Sequence, residues 1–444
     1  MRSAMEYLTA LGTAPVGATA TLDELRARLC KPLSEDGIAP EQVVRDLVED
    51  TRGGHLGAGG GRFFAWAMGG AVPAALAADW LTSAWDQNAA LYAGAPAAAI
   101  AEEAVGGWLK DLLRLPAGCS FGLVSGCQMA HATCLGAARH QLLLNRGWDV
   151  ERDGMSGSPQ IRILASNRHG SVERAVRLLG FGDANVQDLA LDEEETLRPE
   201  VLEAALQAAG GAPVIVILQA GDLNTGSFDP YRELIPIARR YAAWVHVDGA
   251  FGLWAAVSPV YEHLLQGVED ADSWSTDGHK WLNIPYDCGY AFVAHPEAHR
   301  AALAHTAPYL VAGGDARDEM EWNPEWSRRA RGFTTYAALR QLGRRGIASL
   351  VEQCCEHARR LVEGLGQLPG MEILWRPVIN QGLVRFQDDR QTDDLVRRIN
   401  AHGGAFFMAT TWRGKRAMRV SVMSWQTNSR DVEAAIRAVA ECLL

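Results

Sequence analysis

Five consecutive residues, Val214-Ile215-Val216-Ile217-Leu218, carry no polar side chain, and that run sets the fold class. A strand with one wet face alternates apolar and polar residues. A strand that is apolar at every position is covered on both faces, the condition of a parallel sheet flanked by helices. Further apolar runs at Ile161–Ala165 and Trp244–Val247 alternate with helical periodicity at Gln128–Asn145, Ser171–Leu179 and Tyr231–Ala242. This alternation predicts an α/β architecture with a mostly parallel central sheet. A further strand is expected at Gly289–Ala294, after a turn at Pro285.

The texture differs on either side of this region. Leu22–Leu29 and Glu41–Thr51 have helical spacing, and a glycine-rich stretch, Gly53 to Gly61, follows them. No apolar strand precedes those glycines, so they read as a connector rather than a phosphate loop. Beyond residue 305 a polar segment leads into a helix through Arg360. Short strands follow at Met371–Trp375, Gly382–Phe386 and Met418–Ser424, with a terminal helix from Asp431. The expected division is an N-terminal helical arm over 1–60, a large α/β domain over 61–305 and a small C-terminal α+β domain over 306–444.

Charge and cysteine usage narrow the function classes. With 42 basic against 53 acidic residues the net charge is −11, which disfavours nucleic acid and anionic membrane surfaces as partners. The apolar run from Phe63 to Ala78 is interrupted by Gly69, Gly70 and Pro73 and is too broken to span a bilayer. Eight cysteines contain no C-x-x-C pair and read as reduced thiols, which makes a cytoplasmic location the expectation. The histidines lack metal-ligand spacing, and zinc-protease, nucleophile-elbow and Walker motifs are missing, so no metal is expected.

The chemistry concentrates in Trp244-Val245-His246-Val247-Asp248-Gly249-Ala250 and in Asp277-Gly278-His279-Lys280-Trp281. An aspartate at the end of a buried strand lies where α/β sheets bind ligands. Such a carboxylate bonds a pyridinium nitrogen, and a lysine in a neighbouring loop forms a Schiff base.

In this order and context the two segments resemble the group II pyridoxal-phosphate (PLP) dependent decarboxylases of fold type I, which include the aromatic amino-acid and glutamate decarboxylases. Phe63-Phe64-Ala65-Trp66 with Pro73-Ala74, Ala95-Pro96 through Glu103, and Ser227-Phe228-Asp229-Pro230 carry the resemblance along nearly the whole chain. It implies a homodimer with active sites at the subunit interface and α-decarboxylation of an L-amino acid to an amine through a quinonoid intermediate. Lys280 would carry PLP as a Schiff base, Asp248 would keep its ring nitrogen protonated, and Ala250 would leave room beneath the ring. His169 would stack on the opposite face. Ser125-Gly126-Cys127-Gln128 would receive the phosphate at the start of a helix, with Asp277 and His279 also at the cofactor. Phe63, Phe64 and Trp66 would lie on the substrate side, although the same residues also suit plain core packing.

Two departures stand out. Cys127 and Gln128 replace the family's usual second glycine and hydroxyl residue, and Gly221-Asp222-Leu223-Asn224-Thr225 replaces its Gly-Thr-Thr. More consequentially, Gly313 to Arg331 contains no tyrosine, where such decarboxylases often place the proton donor on a loop; Glu319 takes that position, and Tyr309 and Tyr336 flank the segment. In that acidic stretch Glu319 reads as solvated. The missing tyrosine leaves aldehyde formation, another Cα cleavage or transamination as alternatives, beside a catalytically idle PLP-binding homologue.

Overall fold

The computed structural model describes residues 2–305 and 316–443. The chain forms two compact units, Gly69–Cys355 and Met1–Met68 with Glu356–Leu444. These bounds differ from those expected at 60 and 305: the boundary at residue 355 falls inside the helical segment Arg331–Gly366, two helices that meet at a kink at Gly343.

In the larger unit seven strands form one sheet: β1 (Ser120–Val124), β2 (Arg162–Ala165), β3 (Val186–Asp188), β4 (Val214–Gln219), β5 (Trp244–Asp248), β6 (Ser273–Asp277) and β7 (Gly289–Val293). Their order is β1-β7-β6-β5-β4-β2-β3. β7 runs antiparallel to both neighbours, and the pairs from β6 through β3 are parallel. The carboxyl ends of β1, β2, β4, β5 and β6 therefore share one edge of the sheet, where an α/β fold gathers its chemistry.

β4, the apolar run Val214–Leu218 ending in Gln219, is buried at every position. Its Ile215 and Ile217 point to one face, into a cluster with Ile163, Ala165, Ala291 and Val293 and with Ala130, Cys134, Leu135, Ala137 and Ala138 of the helix Cys127–Leu144. Small residues on that helix let it lie close to the sheet, and each large aliphatic side chain so buried contributes about 1.5–3 kcal/mol. The opposite side is covered by helices such as Tyr231–Arg240, which buries Leu234, Ile235 and Ile237.

The smaller unit holds a four-stranded antiparallel sheet of β8 (Met371–Trp375), β9 (Gln381–Phe386), β10 (Met408–Trp412) and β11 (Lys415–Ser421), in the order β10-β11-β9-β8. The helices Asp389–His402 and Ser429–Leu443 bury apolar faces in this unit. The N-terminal helices Arg2–Ala10, Leu22–Leu29 and Pro40–Asp50 bury no residue at all. Among the described residues no helix is long and apolar enough to cross a membrane.

Candidate active site

Asp248 ends β5 and is almost wholly buried. Its Oδ1 accepts the Ala250 N–H at 3.1 Å. Its Oδ2 has only longer contacts, to Gln219 Nε2 and to His131 Nε2, both at 3.5 Å. Burial works against the carboxylate, but the nearby His131, His169, Lys280 and His246 outweigh it and hold Asp248 below the ordinary range. The result is a buried anion with an oxygen short of close donors.

Lys280 follows β6 in the loop to β7, with Nζ 3.1 Å from Asp277 Oδ2. Burial disfavours its ammonium, yet Asp277 above all outweighs that cost and holds the lysine above its ordinary value. The other Asp277 oxygen accepts the Cys127 N–H at 2.7 Å. One carboxylate thus ties the lysine loop to the first turn of the helix Cys127–Leu144.

That first turn approaches β7 closely. A Cβ on Gly289 would meet Gly126 Cα at 2.5 Å, so only glycine allows the contact. The helix starts at Gly126, which has no side chain to cap it; the Asp277 carboxylate takes the first helical N–H in its place, at the positive end of the helix dipole. Cys127 N–H, expected among the phosphate donors, is engaged by Asp277; Ser125, Gly126 and Gln128 flank it. His279 lies alongside, its Nδ1 accepting the Cys288 N–H at 3.2 Å and its Nε2 3.7 Å from Asp277. Its ring stacks on Tyr286 at 4.3 Å, and burial keeps it neutral by lowering its pKa.

His169 stands at the N-cap of the helix Gly170–Leu178, its Nδ1 accepting the Ser171 N–H at 3.2 Å. The residue is exposed, on the same edge of the sheet, and its charge is felt at Asp248. Behind it, Gln219 donates to the Asn167 carbonyl at 2.6 Å and Asn167 donates to Asp222 at 2.6 Å. Asp222 also accepts the Asn224 and Thr225 N–H groups and the Thr225 hydroxyl. The departure from Gly-Thr-Thr is therefore a self-capped turn fastened to the loop after β2. Asp229, buried, joins Ser166, Gln219 N and Leu197 N, which fixes the ends of β2 and β4 together.

Gln219, Asn167, His131 and His246 were not singled out by the sequence. His246 had a signal: it lies two residues before Asp248, hence on the same face of β5. His131 carries none beyond its place one turn after Cys127. The sulfur of Cys127 and ligand atoms of His131 and Asp248 all lie within 4.8 Å of one another, and burial pushes the thiol well above its ordinary pKa.

Phe63 and Phe64 belong to the smaller unit, where they are buried and stack on Phe406 and Phe407 at 5.1 and 5.3 Å. Trp66 packs beside Phe63 and Phe406 with its ring half in solvent. Glu319, expected to be solvated, is buried instead, with Arg317 Nη2 3.5 Å away. The guanidinium of Arg317 and the Glu102–Arg328 pair surround it with charge, a placement that the acidic local sequence conceals. Tyr336 packs on Trp108 at 5.0 Å, and Tyr309 lies outside the described residues.

Residues 54–388 match the pyridoxal-dependent decarboxylase conserved domain. The chain is 29% identical over 387 residues to an aromatic-L-amino-acid decarboxylase of Drosophila lebanonensis, covering 82% of this chain and 94% of that protein. It is 26% identical over 457 residues to a 4-hydroxyphenylacetaldehyde synthase of Rhodiola rosea, covering 98% and 92%. A solved structure of Oryza sativa TDC with PLP and tryptamine shares the fold, with a TM-score of 0.91 at 23% identity over 99% of this chain and 95% of that one. The family match spans most of the sequence and contains the whole of the larger unit, so this chain belongs to the pyridoxal-dependent decarboxylases, enzymes that use pyridoxal phosphate to release carbon dioxide from amino acids.

Proposed function

We propose that the protein decarboxylates an aromatic L-amino acid to its amine, with Lys280, Asp248 and His169 as the catalytic residues. The observation that carries the reading is the convergence of a buried, ionised Asp248 and a partly buried Lys280 at one edge of the sheet. The aromatic side chain is supported by the relatives, two of which act on aromatic compounds by name.

The residues present fit pyridoxal phosphate. Asp248 has an oxygen without a short donor, which suits a ring N–H; the positive end of the helix suits a phosphate; Lys280 is an amine beside both. Lys280 would hold the cofactor covalently, Ser125, Gly126, Cys127 and Gln128 with Asp277 and His279 would surround its phosphate end, and Ala250 and His169 would flank its ring. Bound there, the group supplies an electron sink for the pair released when the Cα–carboxylate bond breaks.

The protein's own part is orientation and proton control. Asp248, anionic and shielded from water, stabilises a proton on the nitrogen it faces. Holding the scissile bond perpendicular to the ring selects decarboxylation over loss of the α-proton, so positioning chooses the reaction. Lys280 is held charged by Asp277, and that proton must leave before the amine acts as a nucleophile. The same group is then placed to return a proton to the substrate carbon.

A second outcome, oxidative formation of an aldehyde, is supported by the tyrosine-free segment from Gly313 to Arg331 and by the aldehyde synthase relative. We also infer a homodimer in the cytoplasm. Val43, Val44 and Leu47 on an N-terminal helix that buries nothing support a partner subunit, and eight unpaired cysteines support a reducing compartment.

The test is product analysis by mass spectrometry after incubating PLP-loaded protein with a panel of L-amino acids. Amine with carbon dioxide is expected, largest for aromatic substrates. Aldehyde with ammonia and peroxide would favour the second outcome, and no carbon dioxide from any substrate would overturn both.

A further inference from the structure

Behind Asp248 lies a chain of buried polar groups that the proposed reaction does not use. Trp244 Nε1 donates to Ser273 Oγ at 2.9 Å, and Ser273 Oγ lies 2.9 Å from His246 Nδ1. His246 Nε2 lies 2.9 Å from His131 Nδ1, and His131 Nε2 faces Asp248 Oδ2 at 3.5 Å with no hydrogen-bond partner. Both imidazoles are fully buried.

One direction of this chain ends in a donor at Asp248. Trp244 only donates, so Ser273 accepts there and keeps its own proton to give to His246 Nδ1. A neutral His246 then carries its proton on Nε2 and gives it to His131 Nδ1, which leaves His131 with N–H on Nε2. The reverse tautomers would aim a nitrogen lone pair at the Asp248 carboxylate. Burial lowers both histidines, His246 to about 3, so neither carries charge at neutral pH. Ser275 Oγ lies 3.3 Å from His131 Nδ1 on the same side.

We propose that His131 is a positioning residue that presents its Nε2–H to Asp248, its tautomer locked by His246 and Ser273. The arrangement rests on the assignment of Asp248 to the cofactor nitrogen. A neutral donor on Oδ2 fixes the carboxylate's orientation while leaving it anionic. It also draws charge from the carboxylate and so sets how strongly Asp248 holds the cofactor's proton. A cation at His131 would compete for that carboxylate; a neutral imidazole does not. The charged and titratable groups near Asp248 are His131, His169, Lys280 and His246, with the Cys127 thiol and the Tyr231 hydroxyl.

The test compares the holoenzyme with H131L, H131Q and S273A. The visible absorbance of bound PLP is titrated with pH, and kcat and KM are measured separately. H131L removes the donor at similar volume. We expect about a tenfold loss in kcat, as for outer-shell partners of other cofactors, with KM within about twofold and the absorbance titration moved by about one pH unit. Glutamine has both an acceptor for His246 and a donor for Asp248, so H131Q restores most of the loss. S273A unlocks the far end and moves the titration the same way by less. Wild-type kcat and titration in H131L overturn the proposal. If H131L does not fold, an unmoved titration in S273A overturns it, and a shift in S273A supports it. Absence of PLP binding or carbon dioxide release in the wild type would instead remove the assignment on which the proposal rests.

Discussion

Asp277 lies between Lys280 and Cys127, 3.1 Å from the lysine Nζ through one oxygen and accepting the cysteine N–H at 2.7 Å through the other. The strand that delivers Asp277, β6, thereby joins the lysine loop to the helix start at the anion-binding edge. A charged, partly buried lysine is stable there only because that carboxylate accompanies it.

Replacing the lysine separates covalent attachment from mere binding. Lys280→Ala should still take up PLP at the helix start, but borohydride should no longer fix it to the protein. Decarboxylation should fall about 10²–10⁴-fold, the span of a lost proton-transfer group. Peptide mass spectrometry after reduction checks the attachment, and a borohydride-fixed cofactor in the variant would contradict the role given to Lys280.

Asp248 gives a prediction in pH. Its folded-state pKa is depressed, so its stabilising contribution is complete above the ordinary carboxylate value of about 3.9 and is lost as pH falls through the folded value. Asp248→Asn should therefore flatten the acid side of the stability profile below about pH 4, measured as urea midpoints against pH. At pH 7 the same variant should lose roughly a hundredfold in kcat, the scale of one preorganised electrostatic partner.

What the sequence conveyed depended on how each strand is made. β4 announced itself because the run Val214–Leu218 is apolar throughout, and Asp248 because it ends such a strand. β6 did not: Ser273-Trp274-Ser275-Thr276-Asp277 reads as a polar loop, yet all five residues are buried. Its hydroxyls are satisfied inside the protein, Ser273 by Trp244 and His246, a pairing that no local pattern reveals. Lys280, His279 and the 125–128 turn were legible through resemblance, whereas His131 needed the fold, which brings a helix residue against a strand end. Glu319 misled for the opposite reason, since its acidic neighbours suggest solvent, while the fold buries it beside Arg317 and brings up Glu102, which is distant in sequence.

The thiols should behave very unequally. Cys30 is exposed and the other seven cysteines are buried. Burial raises Cys127 well above its ordinary range and pushes Cys119 and Cys288 up to about 11, and the thiolate is the reactive form. Titration with a chromogenic disulfide at pH 7.5 should report roughly one fast thiol per native chain, abolished by Cys30→Ser. Fast labelling of Cys127 would show that the helix start is more open than its burial implies.

Arg328 and Glu102 form the most deeply buried ion pair of the larger unit, bidentate at 2.8 and 2.7 Å with both side chains fully buried. Arg328 also donates to the carbonyls of Ala89 and Leu123 at 2.8 and 3.0 Å, the latter in β1. Arg328→Met should cost about 3–5 kcal/mol in urea unfolding, because it leaves a buried carboxylate without its partner. Burial, with Glu319 adding to it, pushes Glu102 up to about 8 even with Arg328 in place. A raised folded-state pKa contributes stability that is complete below the unfolded value of about 4.3 and is lost as pH rises through the folded one. The variant should therefore be weakest above pH 8 and partly recover near pH 5. Adding Glu102→Gln should recover much of the loss at high pH by removing the stranded charge. A pH-independent loss in Arg328→Met, unaffected by Glu102→Gln, would mean that the arginine acts through its carbonyl contacts and not through the pair.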